Sequence, residues 1–228
     1  LVLDETGWKM ATTRVAAVVD AWLEVIASDA YHRALIDLLR APMLFEDLDE
    51  MQRGTTCLQL EALIRERNLA SGLERIRAEA NQAAPEAAAI LSRLVEARTA
   101  LSPQQSLSIA EWLRRLEKSL SLLGAIDAFT QDQAGRQWLD WLHTRIAELA
   151  EDGERFGFTA WRGWFNRQMD SLLFRDESID SPVVMTHLAA TRLRSFEAAI
   201  LIGADAEHLA PPSPPAWLAH AGVRRQLG

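Results

Sequence analysis

The sequence predicts a mostly α protein, in which a helical bundle is inserted into or beside a small α/β sheet. From about residue 12 to residue 173, apolar residues recur three and four positions apart, which is the spacing of amphipathic helices. Short continuous apolar runs stand at residues 1–3, 183–187 and 198–203, and such runs are typical of strands buried on both faces of an α/β layer. Three strands separated by a helical block are what an inserted helical domain produces.

The change between helical periodicity and short apolar runs predicts where the domains begin and end. Residues 1–19 and 174–228 are assigned to a partial α/β lobe, and residues 20–173 to a helical insertion domain. We expect all three strands to lie in one sheet. A further helix is expected over residues 217–227, after the prolines of residues 211–215.

Proline residues set the limits of the early helices. A stripe of leucines at 35–39 predicts a helix that stops at Pro42, because proline lacks an amide donor and disfavours helix at the residue before it. A similar stripe covers residues 58–69. Pro85 is expected to open the helix over 87–97, since a proline is tolerated in a first turn.

Caps and tryptophans mark the later helices. Ser108 is expected to cap one helix, with Glu111 completing a capping box three residues later. Residues 138–149 form the next stripe, and Thr159 is expected to cap the helix after it. The tryptophans on these apolar stripes are predicted to pack in the core rather than to stack on bases. They are Trp22, Trp112, Trp138, Trp141, Trp161 and Trp164.

The acidic charge limits what the chain does alone. Its formal net charge is −8 at pH 7, whereas proteins that hold duplex DNA present basic surfaces that displace counterions from phosphates. We therefore expect this chain by itself to bind DNA weakly. The acidic residues at 46–50 are interpreted as a solvated loop rather than a metal cage.

Neither metal, cofactor nor membrane chemistry is expected. Cys57 has no second thiol to pair with and is interpreted as an apolar, partly buried side chain. The five histidines are scattered, and none forms a pair that would place two metal ligands on one helical face. The sequence has no apolar run long enough to span a membrane and no signal peptide, so a cytoplasmic location is expected.

Residues 183–211 carry a resemblance to a known family. In order they hold a strand, Thr186 and His187, an arginine-bearing turn, a second apolar strand, a glycine, an acidic residue and Leu209 before a proline. This order resembles UvrD/RecB-type superfamily 1 helicases, and more closely the AddB-type subunits of helicase–nuclease DNA-repair complexes. Residues 4–13 are similar to the exit from the second RecA-like lobe of such proteins into its helical insertion.

The resemblance implies an inactivated helicase lobe. Active members carry a glycine and a glutamate in the turn that couples nucleotide to DNA, but this chain has Leu193, Arg194 and Ser195 there. A phosphate-binding loop would lie in the other lobe, and nuclease carboxylates would lie after Gly228. The leucine at position 1 and the abrupt end favour a fragment of a longer parent protein.

The expected function is therefore non-catalytic. We expect a fragment of an AddB/RecB-like DNA-repair exonuclease or helicase protein that scaffolds or guides DNA, with a helicase or nuclease subunit as possible partner. No catalytic, cofactor-binding or metal-binding residue is assigned, and an ATP-dependent exonuclease activity is expected only of the parent. The candidate DNA contacts are Thr186, His187, Arg192 and Arg194. Pairing of Arg192 and Arg194 with local acids such as Glu197 is an equal alternative.

A second hypothesis is a helical protein-interaction module without a nucleic-acid role. The acidic charge favours it, and so does Trp217 beside the proline-rich segment. An independent hydrolase has no support from any nucleophile motif or paired-carboxylate spacing.

Overall fold

Helices account for most of the residues that the structure, a computed structural model, describes, namely 2–204. Nine α-helices lie within those residues, and two short 3₁₀ turns span Met10–Thr12 and Leu188–Thr191. The helices are α1 Arg14–Ala27, α2 His32–Arg40, α3 Glu50–Arg67, α4 Leu73–Ala83, α5 Pro85–Leu101, α6 Ile109–Leu122, α7 Ala125–Gln131, α8 Gln133–Glu148 and α9 Phe158–Ser171. The expectation of a mostly α protein is thus confirmed.

The helix ends follow local chemistry. α2 ends at Arg40, just before Ala41 and Pro42, and α5 begins with Pro85 as its first residue, both as predicted. The Ser108 side chain accepts a hydrogen bond from the Glu111 amide and caps α6. These helix ends depend on neighbouring residues in the sequence, through side-chain capping and proline geometry, and not on tertiary contacts.

Two predicted cap details are wrong. The residue before α9 is Gly157, so Thr159 lies inside the first turn and is not the cap. The Glu111 carboxylate pairs with Arg114 and Arg115 on its own helix and is not part of a capping box. A complete capping box does occur at α3, between Asp49 at the end of the predicted acidic loop and Gln52.

The core lies between consecutive helices of residues 2–186. α5 packs against both α4 and α6, α7 packs against α8, and α1 contacts α2, α8 and α9. Four tryptophans are fully buried and Trp141 is nearly so, while Trp164 is partly buried, which confirms the predicted core role. The fully buried ones are Trp22, Trp112, Trp138 and Trp161. Burying such large side chains contributes about 2–3 kcal/mol each before entropic costs.

A buried chain of hydrogen bonds joins three helices. Trp22 of α1 donates its indole N–H to the Ser119 hydroxyl of α6 over 2.9 Å. Ser119 in turn donates to the Ala97 carbonyl of α5 over 2.8 Å. Both side chains are fully buried, so each polar group has exchanged water for a protein partner.

Three short strand pairs complete residues 2–186. Strands β2 and β5 pair antiparallel, as do β3 and β4, whereas β1 and β6 pair in parallel with Leu3 opposite Val184. The strands are β1 Leu3–Asp4, β2 Trp8–Lys9, β3 Ser106–Leu107, β4 Phe156–Gly157, β5 Leu173–Phe174 and β6 Val184–Met185. The pairs β1–β6 and β2–β5 therefore join the chain before α1 to the chain after α9.

A tight turn leads out of β1. The Thr6 amide and hydroxyl both donate to the Asp4 carboxylate, at 2.8 and 2.5 Å. Gly7 has φ +66°, and a Cβ there would lie 2.4 Å from the Phe174 carbonyl oxygen. Only glycine fits this left-handed position against the backbone of β5.

The predicted third strand is wrong. Residues 198–203 form no strand, and their large apolar side chains are exposed, with Ile200 and Ile202 each more than 90% accessible. The strand pair is also not buried as expected, since Val183 and Met185 are about half exposed. An apolar run forms a strand only where a neighbouring strand pairs with it, and residues 198–203 pair with no strand among residues 2–204.

The chain divides into two units after Thr186, and the described residues of these units are 2–186 and 187–204. The predicted boundary between residues 19 and 20 falls within α1, which runs unbroken from Arg14. The division into a lobe of 1–19 and 174–228 and an insertion of 20–173 stays a prediction. The expected helix over 217–227 and the prolines of 211–215 lie outside the described residues.

Candidate nucleic-acid interface

Thr186 directly follows the parallel strand pair. The pairing brings the Leu3 amide within 2.9 Å of the Val183 carbonyl and the Glu5 amide within 3.0 Å of the Met185 carbonyl. Thr186 is half-buried at the carboxyl end of β6. Thr186 therefore lies at the carboxyl end of a two-stranded parallel pair, which is much smaller than the open α/β sheets that bind ligands at this end.

The other three candidates lie in the unit that begins at His187. His187 precedes the 3₁₀ turn Leu188–Thr191, and Arg192 and Arg194 follow it. All three side chains are exposed. The structure thus describes Thr186 in one unit and the remaining candidates in the other.

The two arginines differ in their surroundings. The Arg194 guanidinium lies over the Phe196 ring, 5.2 Å from its centroid, and this cation–π contact restricts the orientation of the side chain. Arg192 forms no ion pair with any residue from 2 to 204, so the alternative of pairing with Glu197 is not found for it. An exposed guanidinium without an acidic partner is available to a phosphate.

A groove between α2 and α3, which the sequence did not predict, brings other arginines together. It has a volume of about 590 Å³, and its walls carry Arg33 and Arg40 from α2 and Arg65 from α3. Arg40 forms an ion pair with Glu61. The spacing of seven residues between Arg33 and Arg40 is the available sequence signal, because it sets both on one helical face. The pairing of α2 with α3 could not be predicted from it.

Cys57 and Asp47, both within the described residues, have shifted pKa values. Burial raises the pKa of the Cys57 thiol, so the thiol stays protonated and unreactive at neutral pH, in line with its predicted apolar role. Hydrogen bonds from Arg93 lower the pKa of the Asp47 carboxyl. Asp47 thereby anchors the predicted acidic loop, since Arg93 also lies over the Phe45 ring.

Two further kinds of site are absent from the described part of the chain. Among residues 2–204, no three histidine, cysteine or acidic side chains are grouped so that they could hold a metal ion. In the same residues, every helix is too short or too polar to cross a membrane.

Comparison with known proteins assigns no family to this chain. It matches no protein-family model, and no curated protein matches it. The functional interpretation therefore depends on the residues themselves.

Proposed function

We propose that the chain is a non-catalytic part of an AddB/RecB-like DNA-repair exonuclease or helicase protein, in which it guides DNA toward a nuclease elsewhere in the parent. Its partners are DNA and a helicase or nuclease subunit, and its location is cytoplasmic. No cofactor is assigned to the chain. ATP-dependent steps belong to other parts of the parent.

One observation carries this proposal: the parallel pairing of β1 with β6. Parallel strands need a crossover connection, and here the connection contains all nine described helices. Such an arrangement is what a helical domain inserted into an α/β lobe requires. The resemblance to a helicase lobe also implied a strand at 198–203, which is absent. The β1–β6 pair is therefore the structural feature that still supports the resemblance.

The proposed DNA contacts are tested by Arg192→Ala combined with Arg194→Ala in the parent protein. We expect weaker binding, by a similar factor for all DNA sequences, because phosphate contacts carry no base information. The slope of log affinity against log salt should fall by up to about one unit per lost contact. Fluorescence anisotropy over a salt series measures both quantities.

The matched control replaces Arg75 and Arg167, two exposed arginines that form no ion pair within residues 2–204. This control has the same change in net charge and should leave the salt slope nearly unchanged. If the Arg192 and Arg194 pair behaves like the control, the proposed contact is wrong.

A second candidate function, a helical interaction module, is favoured by an exposed apolar stripe on α3. Met51 is 81% exposed and Leu58 68% exposed. Together with Thr55 and Ala62, they recur at spacings of four, three and four residues. This is the spacing of a seam that packs against another helix. The opposite face of α3, including Cys57, packs in the core.

The double substitution Met51→Glu and Leu58→Glu tests this alternative. If the stripe binds a partner subunit, the variant should lose the complex on size-exclusion chromatography of the assembled parent, with its melting temperature changed by only a few degrees. A complex that survives the substitution at unchanged affinity contradicts the interaction-module hypothesis.

A further inference from the structure

The groove between α2 and α3 combines an apolar floor with cationic walls. Ile36 and Leu69, which line it, are buried, and Ile64 is partly buried. Arg33 on one wall and Arg65 on the other both line it as well. A cavity of about 590 Å³ lies in the size range of ligand-binding clefts.

The charges on its walls do not cancel. Arg40 and Glu61 form an ion pair and neutralise each other. Arg33 and Arg65 form no ion pair within residues 2–204, and Asp37 is the one remaining acid among the described residues that line the groove. Arg33 and Arg65 against Asp37 leave the groove with a net positive charge, in a chain whose net charge is −8, and this favours an anion there.

We infer that this groove binds the phosphodiester backbone of single-stranded DNA, with Arg33 and Arg65 contacting phosphates from opposite walls. The inference rests on the proposed DNA-guiding function and assigns it a second, separate contact. Guanidinium groups suit phosphate oxygens because they donate two parallel hydrogen bonds. The apolar floor has space for a base beside the backbone.

Single-stranded DNA fits the groove better than duplex DNA does. A duplex presents its phosphates on a convex surface and is held by several cations spread over a wide basic face. Here the cations line a concave cleft that His32 also lines, and the His32 ring lies 4.4 Å from the ring of Tyr31. Unpaired bases can stack on such rings, whereas paired bases cannot.

The experiment measures binding of a fluorescein-labelled oligothymidylate of about 12 nucleotides, within the site sizes of single-strand binding folds, to the 228-residue chain by anisotropy at several salt concentrations. Arg33→Ala with Arg65→Ala should weaken binding about tenfold or more, since two charge-assisted hydrogen-bond sites are lost. The log–log salt slope should fall by up to about 0.7 per lost contact. Asp37→Asn should instead strengthen binding by about twofold to fivefold, because it removes the repelling acid.

Controls separate the groove from general charge effects. Arg75→Ala with Arg167→Ala removes two exposed arginines that do not line the groove and should change affinity less than about twofold. Circular-dichroism melting verifies that each variant is folded. A duplex of the same length should bind more weakly than the single strand.

Each of the other possible outcomes contradicts one part of the inference: the site, the preference for single strands, or DNA binding by the groove. If the chain binds the oligonucleotide but the Arg33 and Arg65 variant matches the control, the groove is not the site, while the DNA-guiding function stands. If the duplex binds better, single-strand selectivity is wrong. If the wild-type chain binds neither DNA at any salt concentration, the groove inference is overturned, and the Arg192 and Arg194 experiment in the parent then decides the proposed function separately.

Discussion

Replacing Gly135 by alanine is expected to destabilise the protein by about 3 kcal/mol. A Cβ at this position would lie 2.2 Å from the Phe129 carbonyl oxygen and 2.6 Å from the Phe129 Cα. Both atoms belong to the backbone of α7, so the added methyl group cannot be accommodated by a side-chain rotation. α7 and α8 would have to separate where Asp132 caps α8. Chemical denaturation gives the change in unfolding free energy.

Gly54→Ala is the matched control for this prediction. Gly54 also lies in a helix, α3, but a Cβ added there would have no described atom within 4 Å. Alanine should stabilise the protein at this site by about 0.5–1 kcal/mol through helix propensity. The two substitutions should therefore have opposite signs. An unchanged stability for Gly135→Ala would mean that α7 and α8 do not approach as described.

The second large effect is expected at the buried hydrogen-bond chain between α1, α6 and α5. Ser119→Ala leaves the fully buried Trp22 indole N–H and the Ala97 carbonyl without this partner. An unsatisfied buried polar group costs about 1–3 kcal/mol, so we expect a loss of about 2–3 kcal/mol. Ser121→Ala, on the exposed face of the same helix, should be neutral within about 0.5 kcal/mol.

Tryptophan substitutions test the same hydrogen bonds from the other end. Trp22 and Trp138 are both fully buried, but the Trp138 indole N–H has no acceptor among residues 2–204. Trp22→Phe should therefore cost about 1 kcal/mol more than Trp138→Phe, because only the first loses a hydrogen bond. Equal costs for the two substitutions would contradict the role of the Ser119 hydroxyl.

Local rules predicted most of the helical structure. The stop before Pro42, the start at Pro85 and the Ser108 cap depend on neighbouring residues only, so the sequence alone was sufficient. The tryptophan stripes also predicted burial correctly. The cap at Thr159 was wrong because the chain enters α9 directly from β4, whose pairing with β3 is a tertiary contact.

Nonlocal contacts explain what local patterns could not predict. The apolar run at 198–203 has the composition of a buried strand. A strand also requires a neighbouring strand to pair with, and the composition of the run does not determine whether one is present. Conversely, the two-residue strands β1 and β6 form where the pattern suggested longer ones. Pairing between positions about 180 residues apart depends on how α1 to α9 fold between them.

The candidate site illustrates the same limit. The sequence predicted Arg192 and Arg194 in a turn between two strands, whereas both are exposed after the 3₁₀ turn Leu188–Thr191 and no second strand follows within residues 2–204. The α2–α3 groove was missed because Arg33 and Arg65 are far apart in the sequence and only the packing of α2 on α3 brings them to one cleft.

Contact between this chain and DNA within the parent protein is what we propose, and ultraviolet cross-linking of the parent to single-stranded DNA tests this proposal most directly. Mass spectrometry of the cross-linked peptides identifies the contacting segments. We predict cross-links in residues 186–196 or in the segments that line the α2–α3 groove, 32–40 and 61–70. Cross-links that fall only outside this chain, in a parent that binds DNA, would contradict it.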